Sequence, residues 1–180
     1  ANVMNVALDA GVKRVGYVSS IAALGTNLND TIINESCEFK FTKHVSNYSV
    51  TKYLAEQEVW RASAEGMEVV IINPSVILGP GDWQKGSSQI FEKIYGGLKF
   101  YTTGSTGYVD VIDVAEILVK LLFSSAKNEQ YIVNGINLNY QDCFAKIAEV
   151  MRKPKATIKV TPLLKEFAWR IESVKSFFTG

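Results

Sequence analysis

A tyrosine and a lysine one helical turn apart are the residues of this sequence best placed to move a proton. Tyr48 and Lys52 begin a run of strong helix formers that continues to Glu65. Residues four apart share a helix face, with Cβ atoms about 5–6 Å apart, so the Lys52 ammonium can lie beside the Tyr48 phenol. Because a nearby positive charge favours the phenolate, the pair is suited to general acid–base chemistry near neutral pH.

The same spacing occurs a second time, in Tyr95 and Lys99, and the surrounding residues separate the two pairs. Gly96 and Gly97 follow the second tyrosine, and each glycine disfavours a helix by about 1 kcal/mol relative to alanine. The second pair is therefore not expected to share a helix face. We assign the proton chemistry to Tyr48 and Lys52.

Two short β-branched runs predict the strands that position this helix. Residues 15–18 precede it and residues 68–73 follow it, and continuous apolar runs of this length are typical of buried parallel strands. Both runs end in polar residues, at 19–20 and at 73–75. Ligands of open α/β sheets bind beyond the carboxyl ends of the strands, so we expect these residues and Tyr48 to meet there.

Strand–helix alternation weakens after residue 85, where the sequence predicts a smaller and mostly helical lobe. Asp113 is the expected N-cap of a helix that begins at Val114, and a turn is expected over residues 135–137. The other elements expected there are helices over residues 89–95, 140–151 and 163–178 and short strands over residues 108–111 and 130–134. The predicted fold class is α/β, a doubly wound parallel sheet with a helical lobe.

Composition excludes several classes of function. The 180 residues are 47% hydrophobic with a formal net charge of +1, and the basic residues are scattered, so no nucleic-acid surface is expected. No apolar run approaches the roughly 18 residues of a membrane span. Cys37 and Cys143 fit no metal or redox spacing, and His44 is the single histidine. We therefore expect no bound metal and a reduced, cytoplasmic protein.

Four motifs occur in order along the chain: Tyr17-Val18-Ser19-Ser20, Tyr48-Ser49-Val50-Thr51-Lys52, Asn73-Pro74-Ser75-Val76-Ile77-Leu78-Gly79-Pro80-Gly81 and Gly107-Tyr108-Val109-Asp110-Val111-Ile112-Asp113-Val114-Ala115. With them the sequence resembles the C-terminal two-thirds of an extended short-chain dehydrogenase/reductase, the NAD(P)-dependent epimerase/dehydratase superfamily. Within that superfamily it is most similar to the dihydroflavonol-4-reductase-type reductases of ketones and aldehydes. The resemblance covers essentially the whole chain.

The resemblance implies a Rossmann-like fold and gives three residues catalytic roles. Ser20 would hydrogen-bond the substrate carbonyl, Tyr48 would donate a proton to its oxygen, and Lys52 would hold the nicotinamide ribose and support Tyr48. The residues implied to line the cofactor are Ser19, Tyr48, Lys52, Pro74, Ser75 and Val76. The implied cofactor is NAD(P), with NADP favoured over NAD.

The resemblance also points to the substrate. Nucleotide-sugar members of the superfamily usually carry an asparagine where this chain has Val76. An apolar side chain there implies a less polar carbonyl compound as the small-molecule partner. The residues implied as walls of its pocket are Asp82, Trp83, Ser88 and Phe91.

By the same resemblance the chain divides into two parts. Residues 1–85 would be the C-terminal part of the NAD(P)-binding Rossmann domain and would carry the catalytic residues. Residues 86–180 would be mainly a substrate-binding lobe, with some segments that return to the core. A homodimer is implied, through the helix of residues 1–10 and the Tyr48 helix, and neither nucleic acid nor a membrane is an expected partner.

Two other functions stay open from the sequence. The protein could be a nucleotide-sugar epimerase or dehydratase, or a non-catalytic relative that binds NAD(P). The glycine fingerprint G-x-x-G-x-x-G, which the superfamily places after its first strand, does not occur in these residues. Because residues 1–10 already read as a helix, we expect the chain to be a piece of a longer enzyme whose pyrophosphate-binding loop lies elsewhere.

Overall fold

A computed structural model of the chain describes residues 1–25, 32–43 and 45–161. His44, the helix predicted over residues 163–178 and part of the polar connection before Tyr48 lie outside the described residues. The chain forms two compact units. Unit 1 comprises Ala1–Gly79 and Gly107–Ile136, and unit 2 comprises Pro80–Thr106 and Asn137–Gly180.

Five α-helices and eight strands occur among the described residues. The helices are α1 (Asn2–Asp9), α2 (Asn47–Ala64), α3 (Gln89–Tyr95), α4 (Val111–Leu122) and α5 (Tyr140–Val150). The strands are β1 (Arg14–Val18), β2 (Glu68–Pro74), β3 (Val76–Leu78), β4 (Phe100–Tyr101), β5 (Ser105–Asp110), β6 (Glu129–Val133), β7 (Ile136–Asn139) and β8 (Ile158–Lys159). Ile21–Ala23 and Gly86–Ser88 are short 3₁₀ helices.

The central sheet of unit 1 is parallel, with strand order β1–β2–β6. Val18 pairs with Ile72 and Pro74 pairs with Val133, so the three strands end near one edge. In the middle strand, residues 69–72 are all fully buried. A run without polar alternation is what a parallel strand covered on both faces requires.

Helices cover both faces of this sheet. On one face, Met4 of α1 and Val59 and Ala62 of α2 pack with Val69 and Ile71. The opposite face is covered by α4, whose buried residue Val114 belongs to one cluster with Ile72, Val109 and Val133. The sheet is therefore doubly wound, as the sequence predicted.

The remaining strands form two smaller sheets. β3, β5 and β7 make a three-stranded sheet in the order β3–β5–β7, with β3 parallel to β5. In unit 2, β4 and β8 form a parallel pair, and α3 lies against α5. The helix predicted over residues 89–95 has exactly the bounds of α3, and that over 140–151 ends one residue beyond α5.

Two local predictions are wrong. Asp110, and not Asp113, is the N-cap of α4, because its Oδ1 accepts the amide of Ile112 at 2.7 Å. β5 remains paired with β3 as far as Asp110, opposite Leu78, so the helix begins directly after the strand. The turn predicted over residues 135–137 is also wrong, because strand β7 already begins at Ile136.

Candidate active site

Ser46 begins α2 and thereby sets the position of Tyr48. Its Oγ accepts the amide of Ser49 at 3.1 Å and lies 2.9 Å from the Ser49 hydroxyl oxygen. This is the usual way in which a serine caps a helix. Tyr48 therefore lies in the first turn, and its side chain is well exposed, at 60%. The phenol is open to a ligand from solution.

Lys52 connects this helix to the end of β1. Its Nζ donates to the carbonyl oxygen of Val18 at 3.3 Å and lies 5.8 Å from the centre of the Tyr17 ring. Both partners belong to β1. The ammonium thus lies at the carboxyl end of a central strand, one helical turn after Tyr48.

Ser20 follows β1 and caps the 3₁₀ helix behind it. Its Oγ accepts the amide of Ala22 at 3.1 Å, and its carbonyl oxygen accepts the amide of Ala23 at 2.9 Å. Accepting a hydrogen bond uses a lone pair of the hydroxyl oxygen and leaves its hydrogen available to donate. Ser20 can therefore offer a donor at the sheet edge while its main chain is held in place.

Two buried hydroxyls at the same strand ends have no hydrogen-bond partner within the described residues, and they are Ser19 Oγ and Ser75 Oγ. Their backbones are fixed, because Ser19 N donates to Ile72 O at 2.8 Å and Ser75 N donates to Val133 O at 3.0 Å. Leaving a buried polar group unpaired costs about 1–3 kcal/mol. These hydroxyls therefore fit a ligand that brings polar groups of its own, as the predicted cofactor does.

Pro74 and Val76 hold Ser75 between two sheets. Pro74 is the last residue of β2 and Val76 the first residue of β3. On the next strand, Gly107 approaches so closely that a Cβ added to it would lie 2.8 Å from Ser75 Cβ. Only a residue without a side chain fits there, so the backbone around Ser75 is closely confined.

The carboxylate of Glu56, which the sequence did not single out, is buried beside these groups together with the amide of Asn73. Asn73 Nδ2 donates to Glu56 Oε2 at 2.8 Å and to the carbonyl oxygen of Ser20 at 3.1 Å. Glu56 is 3% exposed and Asn73 is 0% exposed. The available sequence signal was spacing, because Glu56 follows Lys52 by four residues, as Lys52 follows Tyr48.

The phenol of Tyr17 reports the charges around this part of unit 1. Burial raises its pKa above 10.0, and the negative charges of the Glu56 carboxylate and the Tyr48 phenolate raise it further. Tyr17 consequently stays protonated through the neutral range.

The predicted pocket residues Asp82, Trp83, Ser88 and Phe91 all lie in unit 2. The ring centres of Trp83 and Phe91 are 6.1 Å apart. Asp82 Oδ2 lies 3.4 Å from Nζ of Lys85 in an exposed ion pair. Ser88 directly precedes α3. Two of the four residues thus form an aromatic contact, and the other two are polar residues of the same segment.

The described residues contain neither a metal-binding cluster nor a membrane-spanning helix. Within residues 1–25, 32–43 and 45–161, no group of three or more His, Cys, Asp or Glu side chains could hold a metal ion. Over those ranges, no helix has both the length and the apolar character needed to cross a membrane. Cys37 and Cys143 are buried thiols that form no disulfide.

The sequence matches one family model and several curated proteins. The model of the NAD dependent epimerase/dehydratase family matches residues 1–134. A putative dihydroflavonol 4-reductase from Synechocystis is 30% identical over 182 residues, which cover 96% of this chain and 52% of that protein. Cinnamoyl-CoA reductase 2 from Arabidopsis thaliana is 36% identical over 187 residues, covering 96% of this chain and 56% of that protein. The chain spans about half the length of these curated relatives.

Solved structures confirm the fold. A nucleoside-diphosphate-sugar epimerase from Pseudomonas aeruginosa superposes with a TM-score of 0.83 at 22% sequence identity, over 95% of this chain and 57% of that one. At this identity the likeness concerns the fold alone. Together with the doubly wound sheet of unit 1, it confirms the predicted Rossmann-like α/β class.

Proposed function

Because the chain belongs to the NAD-dependent epimerase/dehydratase family of extended short-chain dehydrogenases/reductases, we propose that the whole protein is an NAD(P)-dependent oxidoreductase that reduces a ketone or an aldehyde. The observation that carries the proposal is the position of Lys52, which lies one turn after the exposed Tyr48 and bonds to the end of β1. Val18 is the residue to which Lys52 donates. Ser20 lies two residues after Val18 and can donate from its hydroxyl at the same strand end.

In the proposed reaction, each residue acts on the carbonyl group. Tyr48 donates its phenolic proton to the carbonyl oxygen, and Ser20 donates a hydrogen bond to that oxygen. Lys52 stabilises the phenolate that remains on Tyr48 after the transfer. The nicotinamide cofactor, when bound, supplies the hydride for the carbonyl carbon, so the carbonyl becomes an alcohol.

The proposed cofactor site lies along the strand ends of unit 1. The unpaired buried hydroxyls of Ser19 and Ser75 would form hydrogen bonds with polar groups of the nicotinamide nucleotide. Pro74 and Val76 would line the ring beside them, and Tyr48 and Lys52 would hold the ribose. We propose NADP rather than NAD as the coenzyme, whereas the family description names NAD.

We place the substrate-binding lobe mainly in residues 86–180, which continue from a Rossmann part in residues 1–85. The aromatic contact between Trp83 and Phe91 supports an aromatic or otherwise apolar carbonyl compound. Val76, an apolar residue where nucleotide-sugar members of the superfamily usually carry asparagine, supports the same substrate class. Two relatives bear names of such compounds, a dihydroflavonol and cinnamoyl-CoA.

The first test is a turnover assay of the whole protein, meaning this chain with any sequence that precedes or follows it. NADPH or NADH would be supplied with cinnamoyl-CoA, cinnamaldehyde or a dihydroflavonol, and loss of the reduced coenzyme would be followed by absorbance. We expect reduction of at least one carbonyl compound. Conversion of UDP-glucose or dTDP-glucose without any carbonyl reduction would instead support a nucleotide-sugar epimerase or dehydratase.

The second test removes the proposed proton donor. Tyr48→Phe should lower the rate of carbonyl reduction by about 10²–10⁴-fold, the usual contribution of general acid–base catalysis. Tyr53→Phe is the matched control, because Tyr53 lies in the same helix and stacks on Phe39 through its ring, at 4.3 Å between centres. Equal turnover by Tyr48→Phe and the wild-type protein would refute the catalytic assignment. If the wild-type protein binds the coenzyme but reduces no substrate, a non-catalytic relative would be favoured.

A homodimer is proposed through α1 and α2. Val3 and Val6 of α1 and Leu54 of α2 are exposed apolar side chains on the two helices concerned. Removing such side chains from water on association would stabilise a pair of subunits. Light scattering on the whole protein should give twice the mass of one chain, and Val6→Glu should lower it. A single-chain mass for the wild-type protein would contradict the proposal.

A further inference from the structure

The side chain of Asn73 joins three elements of unit 1. Asn73 ends the apolar part of β2, and its Nδ2 lies 2.8 Å from Oε2 of Glu56 in α2. The same nitrogen lies 3.1 Å from the carbonyl oxygen of Ser20, just after β1. A primary amide has two N–H hydrogens, so one nitrogen can satisfy both acceptors. Asn73 thus links α2 to the main chain at Ser20.

This arrangement is a costly way to stabilise a fold. Glu56 is nearly inaccessible to water, and removing a carboxylate from water is expensive unless hydrogen bonds compensate for it. Apolar side chains of similar size often pack in such places at equal or lower cost in free energy. A role in holding nearby groups in a set geometry accounts better for a carboxylate at this position.

α2 has a second attachment to β1, on the same helix face as Glu56. Lys52, four residues earlier, donates to the carbonyl oxygen of Val18. α2 therefore reaches two carbonyl oxygens at the end of β1, that of Val18 directly and that of Ser20 through Asn73. These two attachments add to the bond from Ser19 N to Ile72 O, and they fix the main chain at Ser20 relative to α2.

We propose that Glu56 and Asn73 are positioning residues, which hold the Ser20 segment in register with the Tyr48 turn of α2. They touch neither substrate nor cofactor in this account, and they act through the main chain of Ser20. The part of the proposal that concerns reaction rate rests on the proposed function. The geometric part, that the pair immobilises residues 20–23, does not.

The test replaces Glu56 in the whole protein and measures local mobility as well as activity. Glu56→Leu removes the carboxylate that accepts from Asn73 and puts an apolar side chain of similar size in its place. Amide hydrogen exchange of a peptide covering residues 17–25 reports the Ser20 segment, because the amides of Ala22 and Ala23 are bonded to Ser20. We expect exchange in that peptide to accelerate by about tenfold, as loss of a buried hydrogen bond would produce.

Two matched variants separate positioning from general damage. Glu56→Gln retains an oxygen that can accept from Asn73, so exchange and kcat should return close to wild-type values. Glu58→Leu changes a half-exposed glutamate of the same helix that pairs with Arg61 at 2.9 Å, and should leave both unchanged. In Glu56→Leu, kcat with the carbonyl substrate identified by the turnover assay should fall about tenfold while the KM for NADPH stays unchanged, because the coenzyme contacts remain.

The outcomes distinguish this inference from the proposed function. A folded Glu56→Leu protein with wild-type exchange over residues 17–25 would overturn the inference. Faster exchange with unchanged kcat would support the geometric link and count against a catalytic Ser20, and hence against the proposed function. Should Glu56→Leu fail to fold, Glu56→Asp takes its place, because its carboxylate is one methylene too short to reach Asn73, and wild-type exchange in that variant would overturn the inference equally.

Discussion

The two ends of α2 differ in burial, chemistry and neighbours. Its C-terminal half supplies Val59 and Ala62, which are buried against the sheet. Its first turns carry Tyr48, which is exposed, and Lys52, which reaches the end of β1. One continuous helix therefore anchors the fold at one end and presents reactive groups at the other.

β2 is divided in the same way. Residues 69–72 are fully buried apolar side chains. The next residues, 73–75, carry two buried polar atoms without a hydrogen-bond partner among the described residues, Asn73 Oδ1 and Ser75 Oγ, and Ser19 Oγ, just after β1, is a third. The apolar stretch supplies hydrophobic free energy that offsets the cost of such atoms at the strand end. Stability and chemistry should thus be separable by mutation, and the following predictions test that separation.

The largest effect on stability is expected in the buried stretch. Ile71 is fully buried in the cluster that contains Val59 and Ala62. Ile71→Ala should lower the free energy of unfolding by about 2–5 kcal/mol, measured by urea denaturation, through lost burial and a residual cavity. The kcat of the folded fraction should change little. Val119→Ala, at an exposed site in α4, is the control and should stay within about 0.5 kcal/mol.

At Lys52 we expect a large loss of kcat with little loss of stability, the reverse of the pattern at Ile71. Lys52→Ala should lower kcat by about 10²–10³-fold, the scale of losing one preorganised electrostatic contact, while the free energy of unfolding changes by less than about 1 kcal/mol. Steady-state kinetics and urea denaturation on the same preparation measure both. Lys120→Ala, which removes an exposed partner of Glu116, should alter neither. A large loss of stability in Lys52→Ala with normal kcat would remove the division between the two ends of α2.

A smaller effect on stability is expected at the N-terminal cap of α2. Ser46→Ala removes the acceptor of the Ser49 amide and should lower the free energy of unfolding by about 1 kcal/mol. Thr51→Ala is the control, because the Thr51 hydroxyl donates to the Asn47 carbonyl within the helix at 2.8 Å, a bond that adds little stability. Equal unfolding free energies for Ser46→Ala and Thr51→Ala would contradict the capping role.

The smallest effect concerns pH. Tyr17 has a pKa raised by burial and then by Glu56 and Tyr48, so its neutral form is favoured in the folded state. The stabilisation is complete below the unfolded pKa of 10.0 and is lost as pH rises through the higher folded value. Tyr17→Phe should therefore reduce the loss of stability between pH 8 and roughly pH 11. Urea denaturation at both values measures it, and identical losses in the two proteins would refute it.

The framework of unit 1 could be predicted because its elements are long or strongly patterned. The run that became β2 and the helix formers that became α2 were identified within one or two residues. β3 and β7 were missed, since three or four residues carry too little periodicity to separate a strand from a turn. The cap of α4 was misplaced because Asp110 and Asp113 both lie near the start of the helix, and only the pairing of β5 as far as Asp110 decides between them.

The residues of the candidate site were predicted unevenly for a related reason. Tyr48 and Lys52 were predicted from their spacing, and Ser20 from the family resemblance that the order of motifs carries, so all three rest on the sequence alone. Glu56 was overlooked, because a glutamate in a helix is usually solvent-exposed. Its burial depends on Asn73, which lies 17 residues away in the chain and meets it only in the folded sheet.

The most direct test of the central claim is the single-turnover rate of carbonyl reduction in Ser20→Ala, Tyr48→Phe and the double variant of the whole protein, each loaded with NADPH. If both residues act on one carbonyl oxygen, the losses should be strongly non-additive, with the double variant at most about tenfold slower than the slower single variant. Wild-type rates in either single variant, or losses that multiply fully in the double variant, would contradict a shared site at the ends of these strands.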